Sequence, residues 1–213
     1  MEETLAAGRA AGLDIMGWPL FELRPLAWEP PAPRAIDGLL VGSANAFRLA
    51  GPGLAAFAGK PVYAVGKATA DAARAAGFPV AVVGSGGLQQ VLTGLRGQAL
   101  TLLRLAGEKH VPLSPPLGVV LDTRVAYRSA ALPMPPAMAE ALGQEAVVLL
   151  YSAEAARHLA AECERLGIDT SRIALAALGP RIAEAAGPGW AQVRSASAPN
   201  EAALLALARD MCH

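Results

Sequence analysis

The hydrophobic positions of this chain form short continuous runs, and each run leads into a segment rich in alanine with helical spacing. GLLV, VYAV and AVVLL are such runs, and none alternates between apolar and polar residues. A continuous apolar run of about four to eight residues is typical of a strand buried on both faces. Short strands that alternate with helices favour parallel sheets covered by helices. The pattern therefore predicts an α/β fold.

The same order of elements is written twice along the chain. The first copy begins IDGLLVGSANAFRLA and continues KPVYAVGKATADAARAAGFPVAVVG; the second begins QEAVVLLYSAEAARHLA and continues SRIALAALGPRIAEAAG. In each copy one strand ends at a serine that opens a helix, and the next strand ends at a glycine that opens another. A third strand, a polar loop and a last helix complete β-α-β-α-β-α. Such a repeat predicts two lobes of similar plan.

An extended segment rich in proline precedes each copy: GLDIMGWPLFELRPLAWEPP and PLGVVLDTRVAYRSAALPMPP. This composition is typical of stiff linkers, so we expect two crossing strands at about residues 24–30 and 124–132. The expected architecture is two similar parallel-sheet α/β lobes joined by a two-stranded linker, with residues 30–125 inserted into a discontinuous lobe of residues 1–24 and 130–213. The carboxyl ends of several strands should then face a cleft, where ligands of open α/β sheets bind.

Charge and hydropathy narrow the possible partners. The 18 acidic and 18 basic residues balance, so no electrostatic footprint for nucleic acid is expected. The start, MEETLAAGRA, lacks an apolar signal core. The longest uncharged stretch, Ala75 to Leu95, is interrupted by Pro79 and a glycine cluster, which argues against a membrane span. We therefore expect a cytoplasmic protein with no membrane partner, and a monomer because no apolar stripe is left over.

Metal and disulfide chemistry find little support in the sequence. The two cysteines are far apart and form no CxxC pair, and the three histidines show no metal-ligand spacing; these residues are Cys163, Cys212, His110, His158 and His213. His158 falls in the middle of a predicted helix and is expected on its outer face. We expect no metal site and no disulfide.

Glycine-rich turns raise the question of a nucleotide site. Gly66-Lys67 lacks the glycine five residues earlier that a phosphate loop needs, because that position is Pro61. The stretch GSGGLQ has glutamine where a dinucleotide fingerprint has its third glycine. Neither motif is complete, and a nucleotide-dependent transferase is suggested only by Gly66-Lys67. The simpler interpretation is that these glycines form tight strand-to-helix turns.

Small hydroxyl and glycine residues stand where helices should begin, and they form the candidate binding positions: Ser43, Ala44, Asn45, Gly66, Lys67, Thr69, Ser85, Gly86, Ser152, Ala153 and Gly179. Each hydroxyl is explained by N-capping alone, worth roughly 0.5–2 kcal/mol. The alternative is that free backbone N–H groups at these turns bind a ligand with several carboxylates, at roughly 0.3–1 kcal/mol per helix end. The basic residues nearby are Arg48, Lys67, Arg128 and Arg181; solvated surface charges are their usual role, and Lys67 and Arg181 occupy matching places in the repeat.

Tyr127 lies on the second proposed linker, in the stretch TRVAYRSAAL. Its phenol could point into the cleft and donate a proton or a hydrogen bond. The alternative is an ordinary half-buried strand tyrosine. No other general acid or base is indicated, since no Ser/His/Asp or paired-carboxylate spacing occurs.

Taken in order, LLVGSANAFR, VYAVGKATADAARAAGFPV, VAYRSAALP, VVLLYSAEAARHL, LAALGPRIAEAAG and SAPNEAALLAL resemble the uroporphyrinogen-III synthase family over nearly the whole chain. The resemblance implies two α/β lobes, no cofactor, and hydroxymethylbilane as the small-molecule substrate in the cleft, with transient contact with the preceding pathway enzyme. It places the family's linker tyrosine on Tyr127, its glycine turn on Gly179-Pro180, and its hydroxyl turns on Ser43, Thr69 and Ser152. The implied activity is that of a cyclising lyase.

The family usually opens with a strand, whereas this chain opens with MEETLAAGRAAG, which is typical of a helix. One sheet is therefore expected to be a strand short. A non-catalytic or degenerate two-lobed protein that binds an acidic tetrapyrrole stays open as the alternative to the synthase.

Overall fold

The computed structural model describes residues 1–212, and His213 lies outside the described part. Contacts divide the chain into two units, Met1–Glu22 with Ala131–His213 as the first and Leu23–Ala130 as the second. Helices alternate with parallel strands in both units. The predicted α/β class is confirmed.

The second unit is built on a six-stranded sheet of order β1-β6-β5-β2-β3-β4. All neighbouring strands from β6 to β4 in that order are parallel. The strands are β1 (Phe21–Pro25), β2 (Gly38–Val41), β3 (Val62–Val65), β4 (Val80–Gly84), β5 (Leu100–Gly107) and β6 (Val119–Ala131); the helices are α2 (Asn45–Leu49), α3 (Lys67–Ala75) and α4 (Leu88–Thr93). The sheet thus contains all three strands of the first copy of the predicted repeat.

Both predicted linker segments contain strand. The chain passes between the units at residues 22–23 and 130–131, within β1 and β6, and these two strands are neighbours in the sheet. The Leu26 amide donates to the Ala126 carbonyl at 2.8 Å, and the Leu132 amide donates to the Leu20 carbonyl at 2.9 Å. The two bonds run in opposite order along the two segments, so the segments are antiparallel.

The core of the second unit lies on both faces of the sheet. Strand β2 shows the arrangement: Leu39 and Val41 pack into one buried cluster with Phe57, whereas Leu40 packs into another with Leu92. Side chains alternate between faces along a strand, so a strand covered on both sides must be apolar throughout. This is the physical reason for the continuous run GLLV.

The first unit has a parallel three-stranded sheet of order β7-β8-β9. Its strands are β7 (Ala146–Leu150), β8 (Ile173–Ala177) and β9 (Gln192–Ser195); its helices are α1 (Glu2–Ala10), α5 (Pro136–Leu142), α6 (Ala153–Leu166), α7 (Pro180–Ala185) and α8 (Glu201–Met211). The order β7-α6-β8-α7-β9-α8 repeats β2-α2-β3-α3-β4-α4. In the second unit β5 pairs with β2 on the side away from β3, and no strand within residues 1–212 takes the matching place beside β7.

The helices are short. The longest is α6, with 14 residues. Over residues 1–212, none has both the length and the apolar character needed to cross a membrane.

Candidate functional site

The turn residues of the second unit collect at the carboxyl edge of its sheet. Ser43 follows β2, Gly66 follows β3 and Ser85 follows β4, and these strands are parallel neighbours. The Gly66 amide donates to the Gly84 carbonyl at 2.8 Å, which ties the ends of β3 and β4 together. Backbone groups at this edge are therefore held in fixed positions by the sheet.

Gly66 precedes the first residue of α3 and has φ of 77°. This left-handed conformation is one that L side chains rarely adopt. No atom lies within 4 Å of the place where a β-carbon would stand. The glycine is thus required by backbone conformation, and the space beside it is open.

Lys67 and Thr69 lie in the first turn of α3. Lys67 is exposed, and its Nζ donates to the Asp71 carboxylate at 2.5 Å. That bond is the largest cause of a lowered pKa of Asp71. Thr69 is buried, with 4% of its surface exposed. Thr69 therefore lies where a helix start was expected, but it does not cap the helix: α3 begins at Lys67 after Gly66 without a side-chain cap.

Ser43 does not cap α2, because the N-cap residue of this helix is Ala44 and no side chain caps it. The Asn45 amide donates to Ser43 Oγ at 3.3 Å, and α2 begins at Asn45 directly after Ala44. Ser43, Ala44 and Asn45 are each half-buried. Ser43 thus stabilises a local turn before the helix, and part of each residue is accessible.

Ser85 does not open a helix, so that prediction is wrong. Strand β4 ends at Gly84, and α4 begins at Leu88 after Gly87, whose φ is 98°. Ser85 and Gly86 are exposed in the turn between them. Gly87, and not Ser85, has the positive φ that only glycine adopts readily. The sequence signal for it was the glycine pair in GSGGLQ, since paired glycines mark a turn.

In the first unit, Ser152 caps α6 as predicted. Its Oγ accepts a hydrogen bond from the Ala155 amide at 3.1 Å, and Ala153 is the first helical residue. Beside it, burial is the largest cause of a raised pKa of the Tyr151 phenol, whose hydroxyl donates to Glu201 Oε1 at 3.4 Å. The capping serine and this tyrosine mark the carboxyl end of β7.

Gly179 precedes α7, and Pro180 is the first residue of that helix. The φ of Gly179 is −170°, which is extended backbone open to any residue, and no atom lies within 4 Å of a β-carbon placed there. Arg181 is exposed on α7. Unlike Gly66, Gly179 is not required by backbone conformation.

Tyr127 is half-buried on β6, directly opposite Gly107 at the end of β5. A β-carbon on Gly107 would stand 2.9 Å from Tyr127 Cε2 and 3.3 Å from the hydroxyl. The ring packs against the buried cluster that contains Leu105, whereas Arg128 is exposed on the next position. Sequence reasoning missed Gly107, which supports the ring; its only signal was a glycine at a strand end.

His158 is not on the outer face of α6, so that prediction is wrong. It is half-buried, its Nε2 lies 2.7 Å from the Leu132 carbonyl, and its ring centroid lies 5.2 Å from that of Phe21. Within residues 1–212, no group of three His, Cys, Asp or Glu side chains comes close enough to hold a metal ion.

Two α/β units with glycine and hydroxyl turns at the carboxyl edges of their parallel sheets define the class: open-sheet α/β proteins. The sequence model of the family described as uroporphyrinogen-III synthase HemD matches residues 2–206. The chain belongs to the uroporphyrinogen-III synthase family. No curated protein sequence matches it.

Two solved structures are similar to this chain. The uroporphyrinogen-III synthetase of Helicobacter pylori 26695 is similar with a TM-score of 0.64 at 19% identity, over 90% of this chain and 91% of that one. A mutant uroporphyrinogen III synthase of the extremely thermophilic bacterium Thermus thermophilus matches with a TM-score of 0.47 at 19% identity, over 99% of this chain and 94% of that one. At this identity the first similarity shows a common fold.

Proposed function

We propose that this chain is a uroporphyrinogen-III synthase, a cyclising lyase that converts hydroxymethylbilane to uroporphyrinogen III with loss of water and inversion of ring D. The observation that carries this proposal is the family match over residues 2–206. The positions of Tyr127 and of the strand-to-helix turns support it.

The turns supply groups suited to the acetate and propionate carboxylates of such a substrate. Helices α3 and α6 are long enough to present a helix dipole, and they begin at Lys67 and Ala153. Each helix start favours an anion by roughly 0.3–1 kcal/mol. A protein with equal numbers of acidic and basic residues holds a highly acidic ligand by such local groups, with Ser43, Gly179 and Arg181 at the other turns.

In the proposed reaction the hydroxymethyl group of ring A takes up a proton and leaves as water, which produces an azafulvene cation. The substituted carbon of ring D attacks this cation to form a spiro intermediate. The intermediate fragments and closes again with ring D inverted, and the proton is returned. Tyr127 donates a hydrogen bond to the departing hydroxyl. The main contribution of the protein is to orient the linear substrate, because closure without the enzyme gives the other isomer.

The test is the isomer ratio of the uroporphyrin obtained, after oxidation, when purified protein meets freshly generated hydroxymethylbilane. Predominance of isomer III is expected. Isomer I alone, together with tight retention of an acidic tetrapyrrole, would support the non-catalytic alternative instead.

Tyr127→Phe tests the role of the phenol. It removes only the hydroxyl from a half-buried ring that also packs against core residues, so the fold should persist. Turnover to isomer III is expected to fall by about 10²–10⁴-fold, measured as initial rate. Tyr63→Phe is the matched control, since Tyr63 is buried in β3 against the cluster of Leu40, and it should keep full activity. Full activity of Tyr127→Phe would remove Tyr127 from the mechanism.

A further inference from the structure

The second unit contains a buried arginine in the middle of β5. Arg104 is 4% exposed. Its Nη2 donates to the Val111 carbonyl at 2.8 Å, and its Nε has no hydrogen-bond partner among the described residues. Burial lowers the pKa of the guanidinium, and no carboxylate within residues 1–212 offsets that effect. A buried charge without a counter-ion is unfavourable, so this position favours an anion.

A solvent-open pocket of about 400 Å³ lies beside this arginine. Its polar side consists of Arg104, His110 and Thr123, and Thr123 is the direct neighbour of Arg104 across the β5–β6 pair. Its apolar side consists of Pro112, Leu113, Pro115 and Leu121. One cationic side and one apolar side match a ligand with a carboxylate on an apolar body.

The wall of the pocket is fixed in place by hydrogen bonds. Residues 108–118 connect β5 to β6 without a helix. Arg104 donates to the Val111 carbonyl of this segment. Gln89 of α4 makes two hydrogen bonds to Ser114: its Nε2 donates to the Ser114 carbonyl at 2.8 Å, and its Oε1 accepts from the Ser114 amide at 2.9 Å. A wall held at both ends reduces the ordering that a ligand must impose.

A simpler role for Arg104 is to anchor residues 108–118, and this role explains the hydrogen bond from its Nη2 to the Val111 carbonyl. It explains neither the buried Nε nor the pocket with its apolar wall. Hydrogen bonding to a neutral carbonyl also leaves the positive charge uncompensated, whereas a carboxylate would pair with it.

We propose that this pocket is a binding site for an organic monocarboxylate, with its carboxylate beside Arg104 and its apolar body against the prolines and leucines. The site lies wholly within the second unit. It is separate from the strand-to-helix turns and does not depend on the proposed synthase activity.

Titration of the full chain with three small probes tests the chemistry of the ligand. Benzoate carries both the charge and the apolar body, benzyl alcohol lacks the charge, and inorganic phosphate lacks the apolar body. Calorimetry should show saturable benzoate binding, with each of the other two probes weaker by about tenfold or more. NMR shifts should centre on His110 and Thr123. Equal binding of benzyl alcohol, equal binding of phosphate, or no benzoate binding would each overturn the proposal.

A pair of variants locates the site. Thr123→Glu places a carboxylate beside Arg104 at an exposed position, so it should fold and weaken benzoate by about tenfold or more. Glutamine has the same size as glutamate but no charge, so Thr123→Gln should keep most of the affinity for benzoate. Arg96→Gln, an exposed arginine outside the pocket, should change nothing. Equal benzoate affinity of the Glu and Gln variants would exclude Arg104 as the anion partner.

Discussion

The carboxylate of Glu162 is buried in α6 and joins that helix to the segment before α5. It accepts hydrogen bonds from Arg165 Nε at 2.8 Å, Arg165 Nη2 at 2.6 Å and the Met134 amide at 2.6 Å. The bonds from Arg165, and after them the one from Met134, lower the pKa of Glu162 to about 2. At the residue scale, the ionised carboxylate of Glu162 therefore links two segments of the first unit, and its protonation at low pH weakens that link.

Glu162→Gln should lower the free energy of unfolding by about 1–3 kcal/mol at neutral pH, because a charged acceptor of three bonds is lost. The folded-state pKa lies below the ordinary value of 4.5. The wild-type contribution is therefore fully present above about pH 4.5 and is lost as the pH falls toward 2. Urea unfolding at several pH values measures the difference, which should shrink over that window.

Glu164→Gln is the matched control, since Glu164 is exposed on the same helix. Its effect should stay within about 0.5 kcal/mol. A difference in unfolding free energy between Glu162→Gln and wild type that stays constant from pH 7 to pH 2 would show that the ionised carboxylate does not stabilise the first unit.

Gly107 and Tyr127 give a second prediction at the residue scale. Gly107→Ala would place a β-carbon 2.9 Å from the tyrosine ring, so the ring must move. We expect a loss of about 1–3 kcal/mol in unfolding free energy and a lower rate of isomer III formation although the phenol is intact. Wild-type activity with unchanged stability would show that the ring shifts without consequence.

At the element scale, the two glycines that precede helices in matching places of the repeat differ in physical role. Gly66 has φ of 77°, whereas Gly179 has φ of −170°. Neither would bring a β-carbon within 4 Å of another atom. Any difference between their alanine variants must therefore come from the backbone.

Gly66→Ala should destabilise the protein by about 1–3 kcal/mol, because φ of 77° with ψ of 153° is a backbone conformation adopted almost only by glycine. Gly179→Ala should be neutral or stabilise by about 0.4–1 kcal/mol, because alanine reduces the entropy of the unfolded chain. Thermal and urea unfolding of both variants measure this. Equal effects would mean that the start of α3 adapts to the side chain.

At the scale of the whole molecule, each unit has its own core. Leu175 is fully buried in the first unit, and Leu103 is fully buried in the second. Truncation of a buried leucine to alanine costs about 2–5 kcal/mol. The two-unit division predicts that each truncation acts mainly on its own unit.

Hydrogen exchange followed by mass spectrometry measures this directly. Leu175→Ala should speed exchange in β7, β8 and β9 more than in β2, β3 and β5, and Leu103→Ala should do the reverse. Each variant serves as the control for the other. Equal loss of protection in both units from either variant would show that the chain unfolds as a single cooperative block.

Much of the fold was readable because local pattern and burial agree. Continuous apolar runs predicted the buried parallel strands, and a glycine after VYAV predicted the start of α3. The helix start predicted at Ser85 was wrong, and Thr69 lies inside the first turn of α3 without capping it, because a hydroxyl near a turn is compatible with several neighbouring helix starts. The glycine conformations at Gly66 and Gly87 decided them.

The sequence by itself determined the α/β class, the doubled order of elements and the family, since each follows from periodicity and from motifs in fixed order. Only the tertiary structure decided which side chains meet: Tyr127 with Gly107, His158 with Leu132 and Phe21, Glu162 with Met134, and Arg104 with its pocket. These partners are distant in the chain or lie on adjacent strands. Their approach is set by sheet register and core packing, which no local pattern of residues encodes.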